Sequence, residues 1–473
     1  MVLIGSGFAS AFFLRRFLEI NKSFRKILVL EKGAVHSLDW QIDNNRVCSI
    51  DSGQQFHKKG LDNKAWNFNT SFGGSSNGWW GCTPRMLPND FSLKTTYGVG
   101  YDWPFSYDEF EPFYAQAEEI MAVSGPSDWQ LSPRSIPFPQ PAHNMSLPDE
   151  ILKKAYPGLY FPQATARARI ATGNRSECCA ASRCSICPTD AKFTVPNELS
   201  PIFSDDRVEF VPEAEVMRLA LTSDTVSSLD YRLEGTLHRV DADLFVLGAN
   251  AIFNPHLLKV SGDSHPLVGK RLHEQISSQV ILDLDGIDSF QSSTAISGQG
   301  YMFYDGEHRR EYGGCMTEHL NKIILLRSDF GKWRQRMVLK FIVEDLPLDA
   351  NYVDVGPDDK PLVVFNEYSS YGLKALQQVP RYVEELKQHL PIEQVHFDPR
   401  LLQKGFPGPT ESHIQGTVVM SNDPRNGVVD KNLVHHKYRN LIVAGGSAFP
   451  TSSPANPALT ICALSLMSAE SFA

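Results

Sequence analysis

The first 31 residues carry the pattern that most restricts the fold of this 473-residue chain. A short apolar run, Val2-Leu3-Ile4, leads into the glycine turn Gly5-Ser6-Gly7-Phe8-Ala9-Ser10, after which apolar residues recur at helical spacing as far as Ile20. A second apolar run, residues 26–30, is followed by Glu31. Strand, glycine turn, helix, strand and acid in this order predict a parallel α/β unit that binds a dinucleotide.

Each of the special positions in this unit has a physical role. Gly5 permits the tight turn, and Gly7 lets the backbone approach a pyrophosphate at the N-terminus of the helix. Glu31 is placed to accept hydrogen bonds from a ribose diol. Ser10 stands where a third glycine is usual, a position that governs how closely the helix packs on the sheet. The unit does not distinguish FAD from NAD, and the alternative is an ordinary glycine turn in an α/β domain.

Composition limits the classes of function that are open to the chain. Lys and Arg number 45 against 54 Asp and Glu, and this net charge of −9 argues against a nucleic-acid partner. Hydrophobic residues make up 42% and charged residues 21%, so the chain can bury a large core, which its length predicts to be shared by two or three domains. No apolar run approaches the roughly 18 residues of a membrane helix, so we expect a soluble protein without a membrane segment.

The N-terminus does not have the order of a secretory signal. The arginine pair Arg15-Arg16 follows the apolar run instead of preceding it, and polar residues 21–23 stand where a twin-arginine signal has its apolar stretch. The sequence therefore predicts a cytoplasmic protein with no signal peptide of its own.

Two polar residues in loops near the C-terminus are candidates for acid–base chemistry. His413 lies in Ser412-His413-Ile414-Gln415-Gly416-Thr417, and Asn456 precedes Pro457 and a closing helix predicted over residues 461–468. A core histidine and a turn asparagine are the alternatives. The pair His435-His436 precedes a lysine and is predicted to lie in a solvated turn.

Five sequence blocks together resemble the glucose–methanol–choline (GMC) oxidoreductases, the FAD-dependent alcohol dehydrogenases and oxidases. The first is the glycine turn with the acid that follows it. The others, in the family's order, are GGSSNGWWGCTPR at residues 73–85, VLGANAIFNPHLL at 246–258, HIQGT with VVD, and NLIVAGGSAFPT with NPALT. Within the family the chain most resembles the bacterial sugar dehydrogenase subunits and pyranose oxidase.

The resemblance implies which residues hold FAD. They are Gly5, Gly7, Ser10, Glu31, Gly73, Gly74, Ser76, Asn77, Val216, Gly446, Ser447, Pro457 and Thr460. Gly78 stands where pyranose oxidase has the histidine that bonds covalently to its flavin. Because glycine has no side chain to form that bond, we expect non-covalent FAD.

The same resemblance implies that His413 and Asn456 are the catalytic pair. A neutral imidazole near pH 7 can take the proton of an alcohol, and an amide can donate a hydrogen bond to the developing alkoxide while flavin N5 receives the hydride. We expect oxidation of a CH–OH group, with a sugar or sugar-like polyol as the small-molecule substrate. The alternatives are an oxidase that passes electrons to oxygen, a flavoprotein lyase or isomerase of the same fold, and a degenerate binding module.

Four cysteines crowd into ten residues, at Cys178, Cys179, Cys184 and Cys187. Such spacing is typical of a metal site or a disulfide pair, and adjacent cysteines suit iron–sulfur ligation better than zinc. The bacterial FAD-dependent glucose dehydrogenases have a similar element that holds a [3Fe-4S] cluster, so the resemblance implies Cys178, Cys179 and Cys184 as its ligands. Such a cluster would pass electrons to an acceptor protein. The spacing to Cys187 departs from that group, and free thiols or a disulfide are the alternatives.

The resemblance also implies an α/β architecture, α+β overall. A discontinuous Rossmann-like FAD-binding domain is expected over residues 1–105, 195–275 and 425–473. The substrate domain, residues 106–194 and 276–424, is expected on a mostly antiparallel sheet. Alternating runs at 322–327 and 337–343 predict strands of that sheet, and residues 382–390 predict a helix beside it.

Overall fold

The computed structural model describes residues 1–22, 26–321, 331–397 and 410–472. The predicted N-terminal unit is confirmed in it. Strand β1 (Val2–Ile4), helix α1 (Phe8–Ile20) and strand β2 (Ile27–Leu30) follow one another, and β1 pairs with β2 in parallel. Glu31 therefore stands directly after the second strand.

Five parallel strands form the sheet that contains this unit. In spatial order they are β19 (Leu441–Val443), β11 (Phe245–Leu247), β1, β2 and β7 (Val208–Val211). The four strands other than β7 consist of buried apolar residues on both faces, as expected when other layers cover both faces of a parallel sheet. Helix α9 (Ala458–Glu470) packs against α1 and against α4 (Tyr107–Met121).

Six antiparallel strands form the second large sheet. In spatial order they are β18 (Ile392–Phe397), β12 (Ile276–Leu284), β15 (Arg336–Val343), β14 (Cys315–Leu320), β13 (Ile296–Phe303) and β6 (Tyr160–Pro162). Helices α7 (Ser370–Leu376) and α8 (Val379–Leu386) share a hydrophobic core with this sheet. The expected class, a Rossmann-like sheet together with a mostly antiparallel one, is confirmed.

Shorter elements connect and flank the two sheets. The remaining helices are α2 (Leu38–Asn44), α3 (Leu93–Tyr97), α5 (Leu147–Ala155) and α6 (Asn250–Val260). The remaining strands are β3 (His57–Gly60), β4 (Ser124–Gly125), β5 (Gln140–Pro141), β8 (Glu215–Leu221), β9 (Val226–Leu233), β10 (Thr236–Asp241), β16 (Tyr352–Val355) and β17 (Pro361–Phe365). Among the helices of the described ranges, none combines the length and the apolar character that crossing a bilayer demands.

Several local predictions can be compared with these elements. The strand predicted over 337–343 is confirmed as β15, and the closing helix is confirmed as α9, longer than predicted at both ends. The helix predicted over 382–390 is α8, which both begins and ends earlier, at Val379 and Leu386. Pro380 in its first turn fits a helix start. The strand predicted over 322–327 lies outside the described residues.

The two large sheets are built from different parts of the chain. The parallel sheet uses residues 2–4, 27–30, 208–211, 245–247 and 441–443, and the antiparallel sheet uses residues 160–162 and segments between 276 and 397. The division into two domains at 1–105, 195–275 and 425–473 against the remainder stays a prediction.

One prediction about a histidine is wrong. His435 does not lie in a solvated turn but is completely buried. Its Nδ1 accepts the backbone N–H groups of Lys437 and Tyr438, at 3.1 and 3.2 Å. The ring proton therefore lies on Nε2, which donates to Asp263 Oδ2 at 2.9 Å. The partner is 172 residues away along the chain, so no local pattern indicates it.

Candidate active site

A cavity of about 1380 Å³ lies where the two large sheets meet. Residues at the carboxyl ends of β1, β2 and β11 line it, and so do residues of β12, β14 and β15. Ligands of open α/β sheets bind outside the carboxyl ends of the parallel strands, so the position is the expected one. The volume exceeds the roughly 300–1,000 Å³ of pockets for drug-sized ligands, which leaves room for a dinucleotide and a second small molecule.

The glycine turn forms part of the cavity wall. Gly5 has φ of +89°, and a Cβ atom there would lie 2.8 Å from the carbonyl oxygen of Gly248. Gly7 caps α1 without a side-chain hydrogen bond, so the first amides of the helix have no side-chain acceptor. A Cβ atom on Gly74 would lie 3.1 Å from Gly7 Cα. Because neither glycine has a side chain, the two backbones can approach this closely while the helix N-terminus stays open to an anion such as a pyrophosphate.

Glu31 lines the cavity and also holds the turn together. Its Oε2 accepts from the backbone N–H and the hydroxyl of Ser6, at 3.0 and 2.7 Å, and its Oε1 accepts from Gly33 N–H at 2.8 Å. Burial raises the pKa of Glu31, and these three hydrogen bonds oppose that shift. The Ser6 hydroxyl in turn accepts Gly73 N–H at 3.0 Å, which ties the turn to the next loop.

The residues predicted to bind the cofactor from the loop at 73–78 fall into two groups, those that line the cavity and those that lie behind it. Gly74 and Gly78 line the cavity, whereas Gly73, Ser76 and Asn77 do not. The Ser76 hydroxyl donates to Gly73 O at 2.6 Å, and the Asn77 side-chain amide donates to Phe72 O at 2.8 Å. These two side chains shape the loop from behind.

The remaining predicted cofactor residues divide in the same way. Those that line the cavity are Val216, Gly446 and Pro457. Those that lie behind its wall are Ser10, Ser447 and Thr460. Thr460 Oγ1 lies 2.7 Å from the hydroxyl of Tyr114, and Ser10 Oγ donates to Ile4 O at 3.4 Å, so these side chains pack elements together.

The cavity also contains both predicted catalytic residues. His413 Nδ1 lies 2.6 Å from Gln275 Oε1. Burial lowers the pKa of His413 to about 4, the charge of Glu411 opposes this and that of Lys340 adds to it, so the imidazole is neutral at pH 7. Asn456 Oδ1 is buried, and no described residue hydrogen-bonds to it. This oxygen is therefore available to accept a hydrogen bond from a water molecule or a bound ligand in the cavity.

A polar wall, which the sequence did not indicate, crosses the antiparallel sheet at the cavity. Gln279, Lys340 and Glu318 are direct neighbours on β12, β15 and β14, and all three line the cavity. Lys340 forms an ion pair with Glu411, and Glu318 accepts from the side-chain amide of Gln163 at 3.0 Å. Lys340 is the one charged residue in the apolar run of residues 337–343, and this was the sequence feature that could have indicated the polar wall.

The four clustered cysteines are free thiols in different surroundings. Cys184 is buried and Cys179 is exposed, while Cys178 and Cys187 are half-buried. The hydroxyl of Thr294 is 3.6 Å from Cys178 Sγ and accepts Arg167 Nε at 2.6 Å. In the part of the chain that the structure describes, no three His, Cys, Asp or Glu side chains are placed to hold a metal ion. The structure therefore gives no support to the iron–sulfur cluster expected on Cys178, Cys179 and Cys184.

Comparisons with known proteins agree with this geometry. Residues 388–465 match the family model described as GMC oxidoreductase. The fructose dehydrogenase large subunit of Gluconobacter japonicus is 29% identical over 84% of this chain and 79% of its own length. Paromamine 6'-oxidase of Streptomyces fradiae is 27% identical over 100% of this chain and 91% of its own length.

Solved structures share the fold. Pyridoxine 4-oxidase from Mesorbium loti superimposes with a TM-score of 0.69 at 17% identity, over 100% of this chain and 98% of that one. A formate oxidase superimposes with a TM-score of 0.68 at 16% identity, over 99% of this chain and 97% of that one. The resemblance to the GMC oxidoreductases, a family of FAD-binding enzymes, that was found in the five sequence blocks is confirmed.

Proposed function

We propose that this chain oxidises a CH–OH group of a sugar or polyol to an aldehyde or ketone, with FAD as cofactor and His413 as general base. One observation carries the proposal. The glycine turn with Glu31 and the pair His413 and Asn456 open into the same cavity, although more than 380 residues separate them along the chain. A dinucleotide site and an acid–base pair in one cavity are the parts that hydride transfer from an alcohol requires.

The residues of the cavity fit FAD. Gly5, Gly7 and Glu31 would hold its ADP half, with Val216 beside the adenine, and Gly446 would lie at the flavin end. The uncapped N-terminus of α1 suits a pyrophosphate. Because Gly78 has no side chain to bond to a flavin, we infer that the cofactor is not covalently attached. When bound, FAD supplies the acceptor for the hydride of the carbinol carbon.

His413 takes the proton of the substrate hydroxyl. Its lowered pKa keeps the imidazole neutral, and therefore able to accept a proton, at any pH well above 4. Asn456 presents an amide to the same cavity, and its N–H can donate to the alkoxide that forms as the proton leaves. Its Oδ1, buried without a described partner, can accept from a bound hydroxyl.

Two observations support a sugar or polyol as substrate. The names of relatives include a fructose dehydrogenase, a paromamine oxidase and a 2-methyl-1,2-propanediol dehydrogenase. In this chain the polar wall of Gln279, Lys340 and Glu318 offers hydrogen-bond donors and acceptors for several hydroxyl groups. Burial raises the pKa of Glu318, while Lys340 and Glu411 form an ion pair, so the wall leaves no unpaired cation for the carboxylate of a sugar acid. This favours neutral or cationic sugars over sugar acids.

The route of the electrons after hydride transfer is a separate question. The name of one relative, a large subunit, describes a protein with further subunits. We propose dehydrogenase activity with an acceptor protein, and oxygen as acceptor is the alternative. The cysteines as arranged give no support to a route through an iron–sulfur cluster.

Anaerobic bleaching of the flavin tests the proposed function. The FAD-loaded protein is mixed without oxygen with fructose, sorbitol, glucosamine or gluconate, and its visible absorbance is followed. We expect a neutral or amino sugar to bleach the flavin and gluconate to be the poorest. Oxygen uptake in air then separates an oxidase from a dehydrogenase. Conversion of an alcohol without any bleaching would indicate a lyase or isomerase and would contradict the proposal.

A further inference from the structure

We propose that Gln275 is a positioning residue that holds the proton of neutral His413 on Nδ1 and so leaves Nε2 as the atom that accepts the substrate proton. The role in catalysis rests on the proposed function. The position of the ring proton can be measured without any turnover.

The orientation of the Gln275 amide follows from its own contacts. Gln275 is almost completely buried, at 1% exposure. Its Nε2 lies 2.7 Å from Ser453 O and 2.5 Å from Ala455 O. Carbonyl oxygens only accept, so the nitrogen of the amide must face them. The amide oxygen, Oε1, is therefore the atom that faces His413.

The tautomer of His413 follows in turn. Gln275 Oε1 has no hydrogen to donate, and it lies 2.6 Å from His413 Nδ1. A hydrogen bond at this distance requires the proton on Nδ1, and a neutral imidazole then has its lone pair on Nε2. Within the described residues, Nε2 makes no hydrogen bond, and the residue lines the cavity. Nε2 is thus free for a substrate hydroxyl.

The same amide also ties the histidine to Asn456. Ser453 and Ala455, whose carbonyl oxygens hold the Gln275 amide, lie in the segment that leads directly into Asn456. Gln275 itself directly precedes β12 and is thereby anchored to the antiparallel sheet. One side chain therefore connects the base and the amide that face the substrate.

The charged groups around His413 do not fix the tautomer. Glu411 and Lys340 act on the ring through their charges. Glu274, which pairs with Lys64, accepts the backbone N–H of His413 at 3.3 Å. None of these side chains hydrogen-bonds to a ring nitrogen in the described structure, so the choice between Nδ1–H and Nε2–H depends on Gln275.

The test uses the FAD-loaded protein labelled with ¹⁵N-histidine. The His413 signals are assigned by their loss in His413→Gln. In the wild type we expect Nδ1 to carry the proton and Nε2 to have the shift of an unprotonated nitrogen. In Gln275→Leu we expect Nε2–H to appear, and the anaerobic reduction rate to fall by at least about 10-fold and at most about 10⁴-fold, with a smaller change in the apparent dissociation constant of the alcohol.

Two further variants make the result decisive. Gln275→Met has nearly the length of glutamine and no oxygen beside Nδ1, so we expect it to show Nε2–H and to decide the result if Gln275→Leu folds poorly. Gln140→Leu removes another buried glutamine amide, one that does not line the cavity, and should change neither the tautomer nor the rate.

Three results distinguish a failure of the role proposed for Gln275 from a failure of the proposed function. A proton on Nε2 in the wild type would overturn the proposal, and so would an unchanged tautomer in Gln275→Leu. A wild-type tautomer with Nδ1–H in a protein that no alcohol reduces would uphold the role of Gln275 and refute the proposed function.

Discussion

The residues that line the cavity and the four clustered cysteines both stood out in the sequence. The structure supports a functional site only for the cavity residues. The glycine turn and His413 lie at opposite ends of the chain, yet both line one cavity. The four cysteines lie within ten residues, yet Cys184 is buried and Cys179 is exposed. Nearness along the chain did not give the four thiols a common environment. A backbone that only glycine allows, as at Gly5, was the more reliable sign of a site.

We expect the largest effect from removing the proposed base, His413. We expect His413→Ala to lower the rate of anaerobic flavin reduction by about 10²–10⁴-fold, because the alcohol loses its proton acceptor. FAD should still bind, since the glycine turn and Glu31 are untouched. His389→Ala, at an exposed histidine, is the matched control. An unchanged rate in His413→Ala, measured by stopped flow, would remove this residue from the mechanism.

The next effect is on the backbone at the other end of the cavity. Gly5→Ala places a side chain at φ of +89° and 2.8 Å from Gly248 O, so we expect the free energy of unfolding to fall by about 2–4 kcal/mol. Gly235→Ala is the control, because φ there is +78° and no atom lies within 4 Å of the added Cβ. It should lose only about 1–2 kcal/mol. Equal losses of stability in Gly5→Ala and Gly235→Ala, measured by urea denaturation, would show that the close approach to Gly248 does not contribute to the effect.

The pH dependence of the cavity gives a smaller effect with a defined sign. Burial lowers the pKa of His413 to about 4, and protonation removes its ability to accept a proton. The reduction rate should therefore be insensitive to pH near neutrality and fall as the pH drops through about 4, by about tenfold for each further unit. A rate that already falls below pH 7 would show that the imidazole is not shielded in this way.

The smallest effect is expected in the cysteine segment. Cys184→Ser should cost about 1 kcal/mol of stability through its buried position, and exposed Cys179→Ser less than about 0.5 kcal/mol. Flavin reduction should be unchanged in both, and wild-type protein prepared anaerobically should contain no iron. Iron that is present in the wild type and lost in Cys184→Ser would establish a cluster and show that the cysteine segment is a functional site.

The sequence predicted the parts of the site that are formed by residues close together along the chain. The order of strand, glycine turn, helix and acid lies within 31 residues, and the loops around His413 and Asn456 are also local. The polar wall was missed because Gln279, Glu318 and Lys340 come from three strands and meet only through sheet register. Gln275 was missed for the same reason, since its partners lie 138 to 180 residues away.

A side chain's partner also decides whether it is functional, and the sequence does not contain that information locally. His413 and His435 both lie near glycine or turn residues, and both have one ring nitrogen bound inside the protein. The second nitrogen of His435 donates to Asp263, whereas Nε2 of His413 has no partner in the described structure. The difference between a structural and a reactive histidine is therefore a matter of tertiary contacts.

A crystal structure of the FAD-loaded protein would show where the cofactor lies relative to the two ends of the cavity. We expect non-covalent FAD with its adenine beside Val216 and Glu31 and its flavin ring beside His413 and Asn456. FAD bound in the reverse direction, or outside this cavity, would refute both the cofactor site and the roles proposed for His413 and Asn456.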